Sequence, residues 1–81
     1  MRATVEIVGI GQRKAGTSKK GVAYDMIPLC IAWEDRNFKG RACANVMCDG
    51  HEYDRSGVQV GEIRDVVMHE ANFRLQLDAI L

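Results

Sequence analysis

The sequence predicts an all-β fold, a small five-stranded barrel, from three observations. Apolar residues recur at alternate positions in several short segments, and β-branched and aromatic residues are frequent there. Polar turns of hairpin length separate the segments. No segment has the period of a convincing amphipathic helix; Glu62 to Glu70 comes nearest, and its Val66-Val67 pair favours β. Eighty-one residues make a single domain, residues 1–81, too short for a second core. A chain of this size buries roughly 60–65% of its extended surface, so it gains from oligomerising.

Thr4 to Ile10 reads as the first strand, with Val5 and Ile7 on one side. Val22 to Trp33 is the second. Ile27, Leu29, Ile31 and Trp33 share its inner face, and Tyr24, Met26, Pro28, Cys30 and Ala32 the other. Trp33 is thereby assigned to the core in preference to a stacking surface. Pro28 lacks a ladder donor and predicts an edge or a bulge. After the turn Glu34–Asn37, Phe38 to Met47 is the third strand, with Lys39 and Arg41 on one side and Phe38, Ala42 and Val46 on the other. Cys48 to Gly57, the longest polar stretch, reads as a surface loop in which Tyr53 packs or is simply exposed. Val58 to His69 is an extended segment broken by Gly61, and Glu70-Ala71-Asn72 a turn. Phe73 to Ala79 alternates cleanly, with Phe73, Leu75, Leu77 and Ala79 inward. Five short strands at this length fit an OB-like barrel, with an SH3-like barrel as the alternative.

The chain is organised around Arg13 to Met26. Four of the eleven basic residues fall between Arg13 and Lys20, without an acid, and Tyr24 follows as the chain turns apolar. A flexible positive loop beside an exposed ring is what single-stranded nucleic acid requires: cations track phosphates and a ring face stacks any base. The same stretch also reads as a solvated hairpin tip. Net charge is zero, yet residues 1–41 carry a balance of +4 and residues 42–81 of −4. That asymmetry suits a molecule with one face for a polyanion.

The string Gly16-Thr17-Ser18-Lys19-Lys20-Gly21-Val22-Ala23-Tyr24, followed by an apolar strand and Trp33-Glu34-Asp35-Arg36-Asn37-Phe38, resembles the single-stranded DNA-binding proteins of filamentous bacteriophages, the gene V protein type. The likeness covers most of the chain in pattern and about ten positions, Gly16 to Tyr24, in letters. Val22 and Ala23 depart from it, since the family often has a basic or polar residue and a proline there. The resemblance implies an OB-like five-stranded barrel, a homodimer, and cooperative coating of single-stranded DNA during replication, largely without sequence specificity, in a bacterial or phage-infected cytoplasm. By position it implies a base-stacking role for Tyr24 and phosphate contacts from Arg13, Lys14, Lys19 and Lys20. Lys39 and Arg41 complete the expected nucleic-acid-binding set, with RNA an alternative target to DNA.

The homodimer also has a local reason. Val66, Val67 and Met68 are consecutive apolar residues, and a small barrel buries one face of a strand, so at least one should point outward. Phe73 would enlarge the patch, and these four are the expected interface. A competing reading from another class is a β-barrel protein-interaction module that binds no nucleic acid. An enzyme is disfavoured: His51 and His69 have no nucleophile or carboxylate partner at motif spacing, and no small-molecule substrate or cofactor is expected. Cys43, Cys48 and His51 lack metal-ligand spacing, so no metal is expected. No run approaches a membrane span, and the N-terminus lacks a signal-peptide core, which predicts a cytoplasmic protein.

Overall fold

Alternation along the first strand sets the inside of the molecule. In β1 (Arg2–Ile10) Val5 and Ile7 point inward and are buried, while Thr4 and Glu6 face out. The computed structural model describes residues 2–71 and 74–81. After β1 come β2 (Lys14–Thr17), β3 (Ala23–Glu34), β4 (Arg41–Asp49), the helix α1 (Gly50–Ser56), β5 (Ile63–Ala71) and β6 (Arg74–Ile80). Five strands close a ring in the order β1, β3, β4, β6, β5 and back to β1. All neighbours are antiparallel except β4 and β6, which run parallel. This is the five-stranded OB-like barrel that the alternation predicts. The short sixth strand, β2, pairs with β3 alone.

The core is filled from every strand of the ring, led by Ile7, Leu29, Ile31, Val46, Val66 and Met68, with Trp33 and Tyr53 packed against it. The inner face expected for β3 is confirmed at Ile27, Leu29 and Ile31. Pro28 sits where β1 ends: Gly11 N–H donates to the Pro28 carbonyl at 2.7 Å, and β1 has its register shift between Ile7 and Gly9. A residue without an N–H is tolerated at such a place.

Four local expectations are corrected. The basic stretch is not wholly a loop. Lys14–Thr17 pairs with Ala23–Met26, and a turn closes the hairpin through Ser18 N–H to Val22 carbonyl (2.8 Å) and Gly21 N–H to Ser18 carbonyl (2.9 Å). The polar stretch after Cys48 is a helix. Asp49 caps it, accepting from the His51 and Glu52 N–H groups, and Gly57 ends it in the left-handed region at φ 62°. The third strand begins at Arg41, leaving Phe38 and Lys39 in an exposed loop. Glu70 and Ala71 extend β5 and pair with Leu75 and Arg74, so they form no turn.

The C-terminal strand keeps its alternation only as far as Leu77. Val67 pairs with Ala79 and Met68 with Leu77, which leaves Asp78 as a bulge and turns Ile80 into the core. The expected interface changes accordingly. Val66 and Met68 are buried inside the barrel and offer no surface, because alternation along β5 turns both inward; Val67 is the outward member of the triplet. Phe73 and Asn72 lie outside the described residues.

Helix α1 fastens the end of the barrel. Glu52 accepts the Ile80 N–H at 3.0 Å and Arg55 donates to the Ile80 carbonyl at 2.6 Å. Glu52 and Arg55 also pair with each other. The Arg55 guanidinium, with the Ile80 N–H second, pulls the Glu52 carboxyl down to about 2.

Candidate nucleic-acid interface

The hairpin of β2 and β3 extends the sheet beyond the ring, and every residue from Gly11 to Tyr24 is exposed. Tyr24 faces Gly16 across it. A Cβ at Gly16 would lie 2.9 Å from the Tyr24 Oη and 3.2 Å from Cζ, so the ring rests on the glycine backbone. Glycine permits that approach because it has no side chain to displace the ring. Tyr24 keeps 45% of its surface exposed, which leaves it free to take a base. The next pair on the same face is Met26 with Lys14, which puts an ammonium one step from the ring. Lys19 and Lys20 form the tip.

The expected basic residues divide by chemistry. Arg13 donates from Nε to Asp25 Oδ1 (2.7 Å) and from Nη2 to Asp25 Oδ2 (2.6 Å). It also donates from Nη1 to Asp54 Oδ1 (2.9 Å) and from Nη2 to Asp54 Oδ2 (3.0 Å). Its charge is therefore balanced twice, and its planar fork locks the hairpin root to α1. Arg41 is paired with Glu6 at 3.1 Å. The side chains of Lys14, Lys19, Lys20 and Lys39 make no ion pair or hydrogen bond among the described residues, and neither do those of Arg36 and Arg74. The free positive charge thus sits on the hairpin, on the β3–β4 loop and at the start of β6. Sequence proximity could not separate Arg13 from its lysine neighbours, because the carboxylates that hold it lie 12 and 41 residues away.

The groove on the other side of Tyr24 is lined by Asp49, Gln76 and Asp78 among others. Asp49 is committed to the helix cap and Asp78 lies 2.7 Å from His69 Nδ1. With Asp25, which Arg13 holds, three carboxylates line this groove.

The Arg13 bridge gives a pH test. Its hydrogen bonds hold the Asp25 and Asp54 carboxyls below their ordinary 3.8. Depressed folded values mean that the bridge's stabilisation is complete above the unfolded carboxylate range and is lost as pH falls through the folded values. Carboxyl carbon resonances of both aspartates should titrate below 3.8 in the native protein and return toward it in Arg13→Ala. Midpoints that the substitution leaves in place would show that Arg13 is not their partner.

Cys48 is buried within the barrel, Cys43 lies exposed on the opposite face of β4, and His51 is exposed on α1, so the three do not converge. Burial, with Glu52 and Asp49 nearby, pushes the Cys48 thiol up to about 11. Among the described residues no three His, Cys, Asp or Glu side chains are grouped to hold a metal. Among the same residues no helix is long and apolar enough to cross a membrane.

Compared with known proteins, the chain matches no family model, no curated protein and no solved structure.

Proposed function

We propose that this chain binds single-stranded nucleic acid, DNA by the resemblance of its hairpin sequence, largely without reading the bases. One observation carries the reading. Tyr24, with an open ring surface, and the unpaired Lys14, Lys19 and Lys20 share one exposed hairpin. In an OB-type barrel the connection between the first two ring strands, which this hairpin forms, is a common place for oligonucleotides to dock. Ring faces stack any base and ammonium groups meet any phosphate, so such a site tolerates sequence. A homodimer belongs to the same reading, with Val67 and the exposed Ile63, on the outer face of β5 either side of Asp65, as its apolar contacts.

Titration with oligothymidylate and with duplex DNA at several salt concentrations tests the function, and sedimentation of the titrated species reads the stoichiometry. The single strand should bind more tightly. Each phosphate that the protein neutralises should add about 0.7 to the slope of log affinity against log salt. Replacing Lys19 and Lys20 together by alanine should reduce that slope by roughly 0.7 for each phosphate no longer neutralised, evenly across sequences. A slope that does not change would show that the hairpin tip never touches phosphate.

A further inference from the structure

The β3–β4 loop holds a second exposed ring. Phe38 is 60% exposed, although phenylalanine has no polar atom to favour water. The turn that presents it is ordered: Asn37 N–H donates to Asp35 Oδ1 at 2.9 Å and Phe38 N–H to the Asp35 carbonyl at 3.0 Å. Beside the ring lies an open groove of ≈ 490 Å³ to which Glu34, Asp35, Arg36 and Arg41 contribute. Asp35 is engaged in the turn and Arg41 is balanced by Glu6. Arg36 and Lys39 flank the ring with no partner of their own among the described residues. An open ring between free cations, as at Tyr24, thus recurs at the other end of β3, here with the carboxylates of Glu34 and Asp35 in the same groove.

We propose that the β3–β4 loop is a second contact for the same single strand, with Phe38 stacking a base and Arg36 and Lys39 meeting phosphates. The inference rests on the function proposed above and adds the length of strand that the protein engages. From Tyr24 to Glu34 the face of β3 runs about 33 Å at 3.3 Å per residue. That is about ten nucleotides at the 3.4 Å rise of a stacked strand. It lies within the roughly 4–16 nucleotides that an OB-fold covers. Unpaired Arg74 adds a cation partway along, in a groove shared with Asn45 and Met47 of β4. A protein partner could also cover Phe38. The free cations flanking the ring and the continuity of this face with Tyr24 favour the polyanion.

The test uses oligothymidylates of about four and about twelve nucleotides, near the short and long ends of that range. The native protein is compared with Phe38→Ala and Tyr24→Ala, with denaturation confirming that both variants fold. Phe38→Ala should weaken the long oligonucleotide about tenfold and the short one by at most about twofold, while Tyr24→Ala weakens both. If Tyr24→Ala weakens binding and Phe38→Ala alters neither length, the second contact is overturned and the hairpin reading stands. If the native protein binds neither oligonucleotide, both readings fall. If Phe38→Ala changes the sedimenting species but no DNA affinity, the ring is a protein contact and the inference is overturned.

Discussion

Ile31→Ala should destabilise the protein by about 2–5 kcal/mol, the cost of a buried isoleucine cut to its Cβ in a core that relaxes only partly. Ile31 is 0% exposed. It lies on β3, opposite Ile7 of β1 and Ala44 of β4. A cavity there opens inside the core cluster, between β1, β3 and β4. Single domains of this length hold on the order of 4–12 kcal/mol in all, so the variant should lose a large share of its stability. Urea denaturation should show a lower midpoint with an unchanged slope. Ile31→Val should lose about 0.5–1.5 kcal/mol, and Val22→Ala, on the exposed hairpin, less than about 0.5. A native midpoint in Ile31→Ala would mean that the inner face of β3 has been assigned to the wrong side.

Tyr24→Ala should reduce the free energy of single-strand binding by about 1–3 kcal/mol while leaving the urea midpoint almost unchanged. The two effects separate because the ring lies on a glycine outside the core and not among core side chains. Tyr24→Phe should bind like the native protein, since the hydroxyl makes no hydrogen bond among the described residues and stacking uses the ring face. Gly16→Ala should weaken binding in the same direction. Its methyl would stand 2.9 Å from Oη and 3.2 Å from Cζ, pushing the ring off its seat without deleting it. Fluorescence titration with oligothymidylate reads all three. Tyr24→Ala binding at native strength would remove the ring from the interface, and a lowered urea midpoint would return it to the core.

The barrel is legible in the sequence because its strands obey a period of two wherever one face is buried. Val5 and Ile7, and Ile27, Leu29 and Ile31, keep that period through the middle of their strands, broken in β3 only where Ala32 is also buried, and alternation there fixes which side faces in. The helix escapes such a reading because seven residues hold barely two turns, too few for a 3.6-residue period to emerge. Its ends are nonetheless written: Asp49 three residues before Glu52, and Gly57 after the last turn. The outward turn of Phe38 is hidden for a different reason. Strand alternation extends on paper through residues that the Asp35 turn removes from the sheet, and so points the ring inward. At the site, Tyr24 and the lysines can be read from composition. The neutralised Arg13 cannot, since its carboxylates reach it only through tertiary structure.

The ring of strands is not equally strong all the way round. The C-terminal pair β5 and β6 joins β1 along five residue pairs, from Arg2 with Val67 to Glu6 with Ile63. Among the described residues it joins β4 along two, Met47 with Gln76 and Cys48 with Leu77. Among the described residues this is the joint with the fewest residue pairs, so lateral opening is expected to start between β4 and β6. It leaves a continuous open sheet that runs from β6 through β5, β1 and β3 to β4. Two unpaired edges then face solvent, and each is a template for another chain to add a strand. Cys48 stands at that joint, buried while the barrel is shut, so the rate at which a thiol reagent labels it would time the opening.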